Sequence, residues 1–134
     1  MDKRIISRKV HASESGELSE LFSSKDIKEL ACAHSYFVSI NPGHTRARHY
    51  HNKKFELICP AYGRVEVLLE DPKTKKRERV KLSAEERKER KLLLVPMGVA
   101  HAVKNASSKK AGIVVFSSSF DLEDTISYGM EVSE

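Results

Sequence analysis

Four side chains in this sequence have the types and spacing of a site for a first-row transition metal. His49 and His51 are two residues apart, and Glu56 follows five residues later. Residues i and i+2 of a strand share a face, so both imidazoles enter the same space. Glu56 lies in the next apolar run, Phe55–Cys59, which can return antiparallel beside the histidine strand. Two imidazoles and a carboxylate need a further ligand, and His101 within the stretch PMGVAHAVKN offers one. Imidazole donors favour borderline ions over hard ones. One divalent ion is therefore expected, zinc before nickel or iron, and magnesium or calcium is disfavoured.

The composition narrows what such a site can serve. The chain has 134 residues with 24 basic and 19 acidic side chains, for a net charge of +5 and no tryptophan. That size points to one domain over residues 1–134, long enough to bury a core without staples. The mild positive excess fits an anionic small ligand. A nucleic-acid groove would interleave bases with exposed aromatics, whereas the charged segment Lys73–Lys91 contains no aromatic residue and mixes its cations with Glu78, Glu85, Glu86 and Glu89. No apolar run reaches the length of a membrane span, and the N-terminus MDKRIISRKVH lacks the apolar centre of a secretion signal. A cytoplasmic address is expected, with neither membrane nor nucleic-acid partners. Cys32 and Cys59 are too few for a disulfide framework, and Cys59 reads as a small buried hydrophobe.

Short alternating runs must position the ligands. Strand character is read at Arg4–Val10 (an edge strand), Glu17–Phe22, Ala33–Asn41, the histidine strand and Phe55–Cys59. It continues at Arg64–Glu70, Arg77–Leu82, Lys91–Val95, Val99–Asn105 and Ala111–Ser119. Turns are read at His11–Gly16, Pro42-Gly43, Pro60–Gly63, Asp71-Pro72-Lys73 and Pro96-Met97-Gly98, and a loop at Ser23–Lys28. Ser83 followed by Glu86 has the form of a capping box, which predicts a short helix over Ser83–Arg90. Many short strands with regular turns indicate an all-β sandwich or barrel.

The pattern Gly43-x5-His49-x-His51-x4-Glu56-x6-Gly63, with Pro96-x-Gly98-x-x-His101-x-x-x-Asn105, resembles the two cupin motifs. One position departs: Arg90 stands where the second motif usually opens with glycine. The segments Ser15–Phe22, Ala47–His51, Lys81–Val103 and Phe120–Tyr128 resemble the sugar-nucleotide branch of that superfamily. This branch includes dTDP-4-dehydrorhamnose 3,5-epimerases, sugar 3,4-ketoisomerases and the C-terminal cupin domain of capsular polysaccharide enzymes. The resemblance is closest to the last group.

The resemblance implies a double-stranded β-helix, or jelly-roll barrel, that acts on a nucleotide-linked 4-keto sugar as an epimerase or isomerase. It also implies zinc on the His-x-His pair and the glutamate, and a homodimer formed by strand exchange. By position, Arg46 resembles the arginine that contacts nucleotide or sugar, His49 the base, and His101 the second active-site histidine. Arg46, Arg48, Lys53 and Lys54 would meet the diphosphate, with Arg46 expected to matter more than Arg48. The family's tyrosine is expected within Gly112–Ser119, but Phe116 stands there, so Tyr128, Tyr50 or Tyr62 would have to substitute. A metal-bound histidine cannot also be the base. If His49 is a ligand, the base passes to His44 or a tyrosine such as Tyr128. Two other readings stay open: a non-catalytic sugar- or sugar-nucleotide-binding cupin, and a metal-dependent oxygenase using iron on the same ligands.

Overall fold

Period-two runs of branched and aromatic residues become strands from end to end of the chain. The structure, a computed structural model, describes residues 1–32, 34–119 and 121–132. The strands are β1 (Arg4–Lys9), β2 (His11–Ser13), β3 (Gly16–Leu18), β4 (His34–Ile40), β5 (Thr45–Tyr50) and β6 (Glu56–Tyr62). They continue with β7 (Arg64–Glu70), β8 (Arg77–Ser83), β9 (Glu89–Val95), β10 (Ala100–Lys104), β11 (Ala111–Ser117) and β12 (Ile126–Ser127). Two five-stranded sheets form, ordered β1-β9-β6-β11-β4 and β12-β5-β10-β7-β8. From β4 to β11 successive strands switch between the sheets at every step but one, the antiparallel β7–β8 pair, as in a jelly roll. The all-β double-stranded β-helix expected from the motifs is the fold observed.

The core lies between the sheets, where Ile40, Ile58, Val67, Leu69, Leu82, Leu93, Val103, Ile113 and Val115 pack together. Alternation sends their neighbours outward, and two further segments cover those outer faces. Ile27 and Leu30 cover Leu57, Cys59, Leu92 and Leu94 of the first sheet. The C-terminal segment lays Met130 and Tyr128 over Leu68, Ala100 and Ala102 of the second. Cys59 is fully buried, and burial pushes its thiol up to about 12, so it is an inert core residue. Among the described residues no helix is long and apolar enough to cross a membrane.

Several boundaries differ from the sequence expectation. The helix expected over Ser83–Arg90 does not form: Ser83 closes β8 opposite Arg64, and Glu89 already belongs to β9. The Ser83 hydroxyl still accepts a backbone N–H, from Glu85, but this builds a tight turn. The segment AEERKER offers almost no apolar face, and a helix this short needs one to survive. Strand β6 runs on through Pro60 to Tyr62, so the turn expected at Pro60–Gly63 is confined to Gly63. The β6–β11 register slips between Gly112 and Ile113, and that bulge accommodates Pro60, which has no N–H to give the ladder. The region read as a turn at His11–Gly16 instead contains β2 and enters β3, and the pair forms an exposed hairpin. Ala33, where β4 was expected to open, and Phe120, which starts the C-terminal segment, lie outside the described residues.

Gly63 shows why the first motif ends in glycine. Its φ is +73°, and a Cβ there would sit 3.0 Å from the carbonyl oxygen of Lys110 and 3.1 Å from Ala111 Cα. A side chain would be strained twice over, by the left-handed backbone and by main chain that cannot yield.

Candidate functional site

Three adjacent elements bring the four ligand candidates together. His49 on β5 lies directly opposite His101 on β10. His51 follows the end of β5, and Glu56 is the first residue of β6, which belongs to the facing sheet. His51, Glu56 and His101 are buried, while His49 is half-buried. One donor atom from each of the four lies within 4.8 Å of the others. Metal–ligand bonds here are about 2.0–2.2 Å, so small rotamer adjustments would place all four around one ion.

Hydrogen bonds set the direction of two of the rings. His51 Nδ1 lies 2.8 Å from the Asp124 carbonyl oxygen, and His101 Nδ1 lies 3.2 Å from that of Val99. A carbonyl only accepts, so both Nδ1 atoms carry the proton. In the neutral rings, Nε2 then presents its lone pair inward. His51 Nε2 is 3.1 Å and His101 Nε2 3.8 Å from the same oxygen, Glu56 Oε1. Lone pairs converging on a carboxylate oxygen repel unless a cation stands between them. The donor set therefore fits a borderline divalent ion, held by imidazoles whose far nitrogens are already fixed. Neither ring nitrogen of His49 has a hydrogen-bond partner among the described residues.

The electrostatics support this arrangement. Burial would raise the Glu56 carboxyl, but in the metal-free site the hydrogen bond and charge that His51 supplies when protonated, the charge of a protonated His101 and the Tyr36 hydrogen bond outweigh it and hold the group below its usual range. Burial, then the nearby charge of His49, lowers His101 to about 4. Burial, then the charge of His51, also lowers His49, and Lys54 adds to this. These imidazoles are thus neutral and free to bind a cation or accept a proton near pH 7.

A stability prediction follows for metal-stripped protein. His101 titrates at about 4 when folded and near 6.5 when unfolded, so the unfolded chain binds its proton first as the pH falls. Stability is therefore full above pH 6.5 and is lost down to about pH 4, by about 3 kcal/mol from this group. The depressed Glu56 acts in the same direction. Urea midpoints measured across that range should fall for wild type and fall less for His101→Gln.

A cavity of about 170 Å³ opens beside the cluster. Tyr36, Arg46, His49, Glu56 and His101 form its polar end, and Val38, Ile40, Ile58 and Val115 are among its apolar lining. Tyr36 is the residue the sequence reading missed. Its hydroxyl donates to Glu56 Oε2 at 2.9 Å, and burial, then the carboxylate, pushes its pKa up, so it stays protonated. It sits on β4 opposite Val115 of β11, one strand over from where a tyrosine was sought. The signal was present: His34, Tyr36, Val38 and Ile40 alternate along one face of β4.

The structure corrects other assignments. Tyr128, offered as a catalytic residue, lies on the outer face of the second sheet; its hydroxyl bonds Glu70, receives Lys75 Nζ at 3.0 Å, and its ring packs on Tyr50. Tyr62 is exposed against Phe37, and Phe116 turns outward onto Phe22. His44 is exposed in the turn before β5, is no part of the cavity wall, and makes backbone bonds to Asn41 and Asn105.

The arginines separate through a bulge. The β5–β10 register shifts so that Ala47 pairs with Ala102 and His49 with His101, leaving Arg48 as the extra residue. Ala47 and Arg48 have φ values of 75° and 63°. Such non-glycine strain, about 1–3 kcal/mol each, persists at functional sites. As a result Arg46, three residues before His49, faces the cavity with it, while Arg48 is exposed and gives its carbonyl to Tyr128. Lys54 is only 5% exposed and has no ion-pair partner among the described residues. Lys53 is exposed.

Comparison with known proteins places the chain in a family and matches its fold. Residues 11–126 match the polysaccharide biosynthesis C-terminal domain family. No curated protein sequence matches the chain. Similar solved structures include QdtA, a sugar 3,4-ketoisomerase from Thermoanaerobacterium thermosaccharolyticum in complex with TDP, at 20% identity over 93% of this chain and 87% of that one, with a TM-score of 0.78. A 3,4-ketoisomerase from Helicobacter canadensis is 20% identical over 94% of this chain and 90% of its own, with a TM-score of 0.80. The dTDP-6-deoxy-D-glucose-3,5-epimerase RmlC from Legionella pneumophila Philadelphia 1, in complex with dTDP-4-keto-L-rhamnose, is 21% identical over 92% and 70% respectively, with a TM-score of 0.78.

Proposed function

This chain belongs to the polysaccharide biosynthesis C-terminal domain family, and we propose that it is a metal-holding cupin that epimerises or isomerises a nucleotide-linked 4-keto sugar. One observation carries the reading: an unpinned, neutral His49 and a protonated Tyr36 line one cavity from strands of opposite sheets, with Arg46 also in its wall. The solved structures that share this fold include two 3,4-ketoisomerases, one of them with TDP bound, and a dTDP-sugar 3,5-epimerase with dTDP-4-keto-L-rhamnose bound, which supports the substrate class.

The chemistry is proton transfer next to a ketone. In our reading His51, Glu56 and His101 hold a divalent ion, zinc foremost with nickel and iron as the alternatives. That ion, when bound, supplies Lewis-acid stabilisation for an enolate oxygen. His49 is left as the base, because nothing fixes either of its nitrogens. It takes the proton from the carbon beside the ketone as the C–H electron pair moves toward the carbonyl oxygen. Tyr36 stands on the opposite sheet and returns a proton from the other side, which favours epimerisation over same-face transfer. Arg46 meets the diphosphate from the cavity wall, and the buried Lys54 adds positive charge close to His49. Tyr36 also removes the main support for a binding-only role, the lack of a tyrosine in the β11 stretch.

The test is direct. Incubated with dTDP- or UDP-4-keto-6-deoxyhexose, the protein should generate a new keto isomer or epimer by proton NMR; unchanged sugar with both nucleotides would contradict the proposal. We place the enzyme in the cytoplasm as a homodimer. Strand β1 is a sheet edge that exposes Ile5, and the neighbouring hairpin exposes Leu18. Light scattering should give twice the chain mass at micromolar concentration.

A further inference from the structure

We propose that Asp124 is a positioning residue that locks the tautomer and direction of His51, and so sets the metal affinity of the site. The inference rests on the reading of His51 as a ligand. Asp124 contacts three consecutive residues at once. Its carbonyl accepts His51 Nδ1–H at 2.8 Å. Its carboxylate oxygens accept the backbone N–H groups of Asn52 at 2.9 Å and Lys53 at 2.8 Å. The residue is only 6% exposed, so these bonds are shielded from water. The carboxylate grips the chain just after His51, and that grip holds the carbonyl against the ring.

The anchor for this grip is remote in sequence. Asp124 ends a single 3-10 turn, and the next residues run along β5, with Ile126 opposite Tyr50 and Ser127 opposite His49. Tyr128 then fastens the segment, its N–H to the Arg48 carbonyl at 2.9 Å and its hydroxyl to Glu70, and Met130 is buried over Ala100 and Ala102. On the other side, the Gly98 N–H bonds the His51 carbonyl at 2.6 Å. His51 thus has its backbone held from one side and its ring from the other, and only Nε2 is left to face Glu56. Outer partners of this kind govern ligand basicity and orientation, and their loss typically lowers metal affinity about 10–100-fold.

The experiment compares wild type, Asp124→Ala and Asp124→Asn by two readouts. The first is the tautomer of His51, from long-range proton–nitrogen NMR correlations in metal-free protein. The second is zinc affinity, by competition with a chromophoric chelator. Wild type should show His51 protonated at Nδ1. Asp124→Ala should move it to a mixture of tautomers and weaken zinc about 10–100-fold. Asp124→Asn, which keeps one acceptor for the backbone, should fall between the two. A merely structural role would lower the melting temperature and leave the His51 tautomer as in wild type; that result, with zinc affinity within threefold of wild type, overturns the proposal. If the alanine variant does not fold, the asparagine variant decides on the same criteria. Should wild type bind no zinc, the metal reading fails by itself, while the tautomer comparison still decides the role of Asp124.

Discussion

Replacing Tyr36 with phenylalanine is expected to lower turnover of a 4-keto sugar nucleotide by about 10²–10⁴-fold, the range for loss of a general acid. KM should stay within about threefold, because the ring that lines the cavity is kept. The hydroxyl has two jobs that must be separated. It donates to Glu56 Oε2, and burial with the adjacent carboxylate keeps its proton on at any working pH. Were Tyr36 only a prop for Glu56, the variant would lose metal in proportion to activity. As the acid, it should lose turnover with metal content unchanged. Elemental analysis alongside kinetics of the one variant distinguishes these outcomes.

Replacing His101 with alanine should reduce bound divalent metal from near one per chain to a small fraction. A direct ligand has more to lose than the outer-shell partners that already change affinity about 10–100-fold. The imidazole is 2% exposed and its Nδ1 is committed to the Val99 carbonyl, so its Nε2 is already aimed into the cluster and its removal leaves the ion one preorganised ligand short. The fold should survive, because His101 sits in β10 between β5 and β7 and the ladder bonds are backbone bonds. Protein made without a histidine tag, assayed by elemental analysis and circular dichroism, checks both halves. Retained metal would remove His101 from the ligand set.

Much of this was legible before the fold, for physical reasons that differ by residue. His49, His51 and Glu56 were readable because period-two alternation fixes facing within a strand, and the motif spacing placed His101 beside them. Arg46 was readable by resemblance, while its facing was not: an unbroken strand would put it opposite His49, and only the bulge at Arg48 turns it inward. Tyr36 lay in plain alternation on β4, but its importance depends on β4 lying beside β11 and facing β5, a long-range pairing that no local pattern carries. The helix expected at Ser83 failed because the cap signal was real but the segment has no apolar face. Asp124 acts on His51 through a main-chain carbonyl, which no residue type encodes.

Proton abstraction beside a ketone is the defining step of the proposed reaction, and solvent deuterium exchange measures it most directly. The protein is incubated with dTDP- or UDP-4-keto-6-deoxyhexose in deuterated water, and the C3 and C5 protons are followed by NMR. Deuterium should enter at one or both carbons with wild type, and entry should be abolished in His49→Ala and in metal-stripped protein. Tight nucleotide-sugar binding with no exchange at either carbon, for both nucleotides, would contradict the proposed reaction and leave a cupin that binds its sugar without transforming it.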